Sequence, residues 1–123
     1  MNDELIGVIK LFAGSFAPQG YMFCQGQTLP INQYQALYAI LGNTYGGNIQ
    51  SNNFQLPNLC GKFVKGTGVN TQGTQTVRLG ETGGNESIVP VSTTNVPPVT
   101  QVDTQFMGLN YIICVEGIFP SRP

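Results

Sequence analysis

The spacing of apolar and polar positions predicts a different element in each part of the chain. Residues 5–13 alternate imperfectly and are rich in Ile, Val and Phe, which predicts a strand. In Ala17-Pro18-Gln19-Gly20, Pro and Gly are placed for a tight turn, and Tyr21-Met22-Phe23-Cys24 then reads as the returning strand. Gln25-Gly26-Gln27 is a second turn. From there the period changes. Tyr34, Leu37, Tyr38 and Leu41 recur at i, i+3, i+4 and i+7, one apolar face of a short α-helix over residues 33–41. Asn32 is placed to cap its start and Gly42 to end it in a left-handed conformation. A helix this short is not stable alone, so it must pack on the strands.

Residues 43–61 have turn chemistry around single apolar anchors, Tyr45, Phe54, Leu56 and Leu59, and read as an ordered loop pinned by those side chains. Phe63-Val64-Lys65-Gly66 reads as a short strand. Residues 66–104 then turn Gly-, Thr- and Asn-rich. Their apolar stretches, Ile88–Val91 and Val96–Val99, are too broken by proline for central strands. This region reads as an extended arm, or as loops held by neighbouring subunits. Residues 106–119 are the most hydrophobic run and read as a core strand paired with the N-terminal one. The organisation expected is therefore a mainly β body, residues 1–65 and 105–123, with one short helix and an extended polar arm, 66–104.

Composition adds one strong constraint. Only 9% of the 123 residues are charged, against about 25% in ordinary soluble domains. Soluble monomers use charge to stay apart, so a chain that does without it covers much of its surface with partners or relies on a neutral polar skin. Five basic residues are scattered and the net charge is −1. Without a basic stripe, nucleic-acid binding has no electrostatic basis, and a polybasic membrane patch is absent. The acidic residues near the start, Asp3 and Glu4, stand where a signal peptide needs positive charge. The reading expects no standard signal peptide and no transmembrane helix.

Catalytic chemistry is sparse. There are no histidines, which removes Ser-His-Asp and Cys-His catalysis and the usual His-containing metal sites. Glu81 and Glu86 flank a turn, with carboxylates read as solvated or paired with Arg78. No catalytic residue, cofactor site or metal site is assigned. Cys24, Cys60 and Cys114 are too widely spaced for a CxxC motif and read as small buried apolar residues. A Cys24–Cys60 or Cys24–Cys114 bridge is left open. Aromatic faces stack on sugar rings, and among the tyrosines Tyr21 and Tyr45, beside turns, are the best candidates for ligand contact. Tyr34 and Tyr38 belong to the helix's apolar face.

These residues together resemble a known family. Gly7-Val8-Ile9-Lys10-Leu11-Phe12-Ala13-Gly14, then Phe16-Ala17-Pro18-Gln19-Gly20-Tyr21 and Cys24-Gln25-Gly26, look like the opening of the phage tail-collar family. That family also includes small standalone bacterial proteins described as microcystin-dependent. Leu29-Pro30-Ile31, Ala36-Leu37-Tyr38, Leu41-Gly42 and Thr44-Tyr45-Gly46-Gly47 resemble its helix and exit loop. Leu56-Pro57-Asn58-Leu59 and Gly61-Lys62, Gly80 with Gly83-Gly84 and Glu86, and Leu109–Ile113 with Gly117–Pro120 resemble its later motifs. The resemblance implies a mostly β, often trimeric domain of short tail fibres or related surface assemblies.

The sequence departs from the family pattern at Val96-Pro97-Pro98-Val99-Thr100-Gln101. Val99 and Gln101 stand where some members carry metal-binding histidines, so no metal-centred trimer is expected. Val96, Val99 and Gln101 are retained as candidate subunit contacts. The expected function is a non-enzymatic structural subunit that assembles with copies of itself into a trimer or fibre. Other tail or appendage proteins are further partners, in a virion or an extracellular appendage. The alternative is an adhesin module binding a host-surface glycan through Tyr21 or Tyr45. A third reading, an enzyme, lacks a convergent acid–base set.

Overall fold

In the computed structural model, which describes residues 3–84 and 105–123, the most apolar run of the sequence becomes the strand around which the others are arranged. In chain order the elements are β1 (Ile9–Phe12), β2 (Tyr21–Phe23), β3 (Thr28–Pro30), a 3-10 turn at Ile31–Gln33, helix α1 (Gln35–Leu41), β4 (Gly47–Asn48), a 3-10 turn at Ile49–Ser51, β5 (Asn53–Gln55), β6 (Gly68–Val69), β7 (Thr76–Val77) and β8 (Asn110–Cys114). The fold is mainly β with a single short α-helix among the described residues, as the sequence predicts.

The first sheet has the order β1-β8-β2, with β8 antiparallel to both neighbours. Ile113 lies opposite Ile9 on one side and Met22 on the other. Ile112, Ile113 and Cys114 are all buried, so β8 is covered on both faces. That is why its sequence is a continuous apolar run and not an alternation. The predicted pairing of the closing strand with the N-terminal strand is observed. The returning strand is a correction. The turn forms, with Tyr21 N–H donating to the Pro18 carbonyl at 3.0 Å, yet β2 does not pair with β1. Residues 13–20 carry the chain back along the sheet, and β8 enters between the two. A fully apolar strand buries more surface with a neighbour on each edge than at the rim of a hairpin. The ends of the chain are tied beside it: Ile6 N–H donates to the Ile118 carbonyl at 2.8 Å and Ile118 N–H to the Glu4 carbonyl at 2.9 Å.

The stretch read as an ordered loop contains a second sheet of order β3-β5-β4. Its strands are two or three residues long, too short to show a period in sequence. Pro30 sits in edge strand β3, where a missing N–H costs no ladder bond. The anchors behave as expected: Phe54 and Leu56 are buried, and Tyr45 and Leu59 pack against the core. Gly47 is required by close approach, since a Cβ there would meet the Phe54 Cα and stand 2.8 Å from the Asn53 carbonyl oxygen.

Helix α1 starts later than the periodicity predicts. Ile31–Gln33 forms a 3-10 turn closed by Tyr34 N–H to the Ile31 carbonyl at 3.1 Å, and Tyr34 occupies the N-cap position without a side-chain bond. Asn32 therefore does not cap the helix; its Oδ1 accepts from Asn52 Nδ2 at 3.2 Å. Gly42 does end it, at φ 56° and ψ −146°, with its N–H on the Tyr38 carbonyl at 2.7 Å. A Cβ is disfavoured in that region, so glycine is the residue the chain needs there.

The core joins all three layers. Ile113, Cys114 and Val115 meet Leu37 and Leu41 of the helix and Leu29, Phe54 and Leu56 of the second sheet. The Tyr38 ring meets Phe54 edge-on at 5.4 Å between centroids. Burial of each large apolar side chain contributes about 1.5–3 kcal/mol, which is what holds a seven-residue helix in place.

Beyond Cys60 the character changes. The strand predicted at 63–66 does not form, and every residue from Gly61 to Gly84 is exposed except half-buried Val77. Among the described residues no strand pairs with Phe63 and Val64. β6 and β7 make a small hairpin organised by one side chain. Asn70 Oδ1 accepts from the backbone N–H of Thr74 (2.9 Å) and Gln75 (3.2 Å), while its Nδ2 donates to Thr74 Oγ1 at 3.0 Å. The far end of the hairpin returns to the body, where a Cβ on Gly80 would stand 2.7 Å from Thr44 Cγ2.

Candidate functional site

Of the two tyrosines singled out by sequence, Tyr45 lines a cleft and Tyr21 does not. The turn after α1 sets Tyr45 in place. Thr44 N–H donates to the Leu41 carbonyl at 3.3 Å and Gly46 N–H to the Asn43 carbonyl at 3.1 Å, and Gln55 N–H ties the turn to β5 at 3.1 Å. Part of the ring packs on the core. The remainder faces a cleft of about 410 Å³, within the range of about 300–1,000 Å³ usual for small-ligand sites.

Four separate segments build the walls. Thr44 and Tyr45 come from the turn after α1, and Gln25 and Gly26 from the turn between β2 and β3. Gln55, Leu56, Asn58 and Lys62 come from β5 and its exit, and Gly80 and Thr82 from the stretch after β7. Backbone pairing fixes the second and third walls together: Gln25 bridges Asn58, Gly26 N–H reaches the Pro57 carbonyl at 3.3 Å, and Leu56 N–H reaches the Gln27 carbonyl at 3.0 Å. Lys62 Nζ donates to the Asn58 carbonyl at 3.0 Å. Among the described residues the lining holds one ammonium group and no carboxylate.

Burial pushes the Tyr45 phenol up, with a smaller push from the nearby Cys24 thiol. Cys24 beneath it is itself pushed up to about 11, first by burial and then by Cys60. All three cysteines are free thiols; Cys24 and Cys114 are buried, as the sequence reading expects, whereas Cys60 is exposed. Cys60 Sγ approaches the Cys24 carbonyl oxygen at 3.9 Å.

Tyr21 has a different setting. It opens β2 opposite Cys114, and Lys10 Nζ lies over its ring, 5.2 Å from the centroid. Lys10 also pairs with Glu4 at 3.2 Å. Its ammonium is held above the usual lysine range by the Tyr21 hydroxyl first and Glu4 second. A ring capped this way offers that face to no sugar. Arg78 and Glu81 meet through backbone, Glu81 N–H on the Arg78 carbonyl at 3.0 Å, with no side-chain ion pair between them. Val96, Val99, Gln101 and Glu86 lie outside the described residues.

Sequence reasoning found Tyr45 but not Gln25, Gln55, Asn58 or Lys62 as a group. They converge only through the bridge between Gln25 and Asn58, and no local spacing records that pairing.

Residues 7–64 match the family model described as the Phage Tail Collar Domain, which indicates a structural role in a phage tail. The match takes in the opening, helix and Gly61-Lys62 motifs; the later motifs lie beyond it. No curated protein matches the chain. Among the described residues no helix is long and apolar enough to cross a membrane.

Proposed function

The chain carries a phage tail collar domain over residues 7–64, and from that premise we propose that it is a structural subunit that assembles with copies of itself, as a trimer or a longer fibre. The observation that supports this lies where the arm leaves and rejoins the body. Phe63 is 78% exposed on one side, and Phe106 and Met107 are 80% and 84% exposed on the other. Large apolar side chains held in water forfeit about 25 cal/mol for each Å² of surface they leave uncovered. A surface with almost no charge also does nothing to keep copies apart. Strand β1 adds a sheet edge that is unpaired among the described residues and carries exposed Ile9 and Leu11, the kind of edge at which strands pair between chains. Other tail or appendage proteins are the further partners, and a virion or an extracellular appendage is the setting.

Size-exclusion chromatography with light scattering tests the reading. The expected mass is a multiple of the 13.2 kDa protomer, and Phe63→Ser with Met107→Ser is expected to lower it. A stable monomer at micromolar concentration sinks the proposal. Electron microscopy then separates closed particles from filaments.

A further inference from the structure

We propose that the Tyr45 cleft is a saccharide-binding site, taking one or two sugar rings of a neutral or carboxylated glycan. The proposal is separate from the assembly reading and can fail without it.

The chemistry of the lining selects the ligand class. Phosphate or nucleotide recognition needs converging positive charge, and the cleft has Lys62 alone. An apolar ligand needs an apolar lining, and here Leu56 and Tyr45 are outnumbered by amides and hydroxyls. A hard cation needs clustered oxygen ligands, several of them carboxylates, and the described lining has no carboxylate.

What remains is a ligand of many hydroxyls with apolar C–H faces. Gln25, Gln55 and Asn58 are primary amides, which carry both donors and an acceptor. Gln55 Nε2 donates to Thr28 Oγ1 at 3.4 Å, so Gln25 and Asn58 are the amides offered to a ligand. A sugar's neighbouring hydroxyls match that pattern, since each both donates and accepts. Asn58 Oδ1 is held by the Cys60 N–H at 3.1 Å, which turns the rest of the amide to a fixed direction. The Thr44 and Thr82 hydroxyls and the Gln25 amide make no hydrogen bond among the described residues, so a ligand replaces only water there. Tyr45 supplies the aromatic surface, anchored on the core by its inner side and amphipathic as tyrosine is at recognition sites. Lys62, tethered to the Asn58 carbonyl, favours a carboxylated sugar over a neutral one.

The test is a glycan array bearing neutral and carboxylated glycans, probed with the full chain, with captured glycans then titrated by isothermal calorimetry. Binding is expected to fall roughly tenfold in Tyr45→Ala and roughly fivefold in Gln25→Ala. Gln25 is exposed, so its truncation leaves fold and assembly mass intact and reports on the cleft even if Tyr45→Ala disturbs packing. Lys62→Gln is expected to remove any preference for carboxylated glycans. An array that captures nothing overturns the proposal, as does a captured glycan whose affinity ignores both Tyr45→Ala and Gln25→Ala.

Discussion

Residues 3–60 and 105–123 hold every buried side chain among the described residues, and residues 61–84 hold none. Both regions contain many glycines, yet they are held together differently. In the body, β1 pairs with β8 from the opposite end of the chain, Ile9 against Ile113, and the gain is apolar burial shared among three layers. In the arm, the bonds around Asn70 close within a few residues and bury nothing. We propose that the body unfolds as one cooperative unit and that the segment 61–84 is a local structure hung from it. Substitutions of the same chemical kind should therefore have unlike effects on the two sides.

The largest contrast is between two phenylalanines. Phe54 is fully buried and touches the Tyr38 ring, so Phe54→Ala should cost about 3–5 kcal/mol through lost transfer energy and an unfilled cavity. Phe63→Ala, in the exposed segment 61–84, should stay within about 0.5 kcal/mol. Urea midpoints measured at one dilute protein concentration decide it; comparable shifts would break the division into body and arm.

The second contrast runs along the pH axis. Cys24 titrates at about 11 in the folded protein against 9.0 in a free chain, because burial disfavours its thiolate. A folded-state value above the unfolded one means stability is fully present below pH 9 and declines as pH rises toward 11. Two units correspond to about 2–3 kcal/mol. The shifts of Tyr45 and Cys114 are upward as well and act in the same direction. Urea midpoints taken from pH 8 to 11 should fall in the parent, and the fall should be shallower in Cys24→Ala. An unchanged slope would show that the body's interior is not what makes it alkali-sensitive.

This division also governs how much could be read in advance. The helix was legible from Leu37 and Leu41 on one face and Gly42 behind them, because helical periodicity is local. The buried strand was legible from the hydrophobic run at 106–119, within which Tyr111–Val115 is unbroken by a polar amide or charge, and Phe54 and Leu56 stood out as isolated apolar residues in a polar stretch. The strand order was not. The Pro18–Tyr21 turn is genuine, and only the competition of β8 for both neighbours separates β1 from β2. The second sheet escaped because two- and three-residue strands carry no period, and the Asn70 hairpin because a single side chain organises it. Of the candidate cleft, Tyr45 was legible as an aromatic beside a turn. Its polar partners were not, since Gln25 and Asn58 meet only after the sheets have formed.

Glycines sharpen the comparison at smaller scale. Gly47 has φ 102° and no room beside Phe54, while Gly73 has φ 70° and open space around it. Gly47→Ala should cost more than about 2 kcal/mol, since both strain and backbone collision apply. Gly73→Ala should cost only the intrinsic left-handed penalty, about 1 kcal/mol. Equal thermal shifts in the two variants would mean that the close approach at Gly47 relaxes freely.

The smallest expected effect is the most informative. β6 and β7 pair Gly68 with Val77, so Thr67 and Arg78 already stand at a closed neck. Replacing Gly68–Val77 by two glycines shortens a loop whose ends need not move. Loop-closure entropy changes by only about 0.6 kcal/mol for each doubling of length, and no core residue is removed. The urea midpoint should therefore shift by no more than about 0.5 kcal/mol. If the arm contacts neighbouring copies, the same excision should lower the assembled mass in light scattering, with Val69, 63% exposed in the lone chain, among the surface lost. A body weakened by several kcal/mol would make the arm part of the fold and dissolve the contrast. A body unchanged in stability but reduced in assembly would show that the residues contributing least to the protomer contribute most to what lies beyond it.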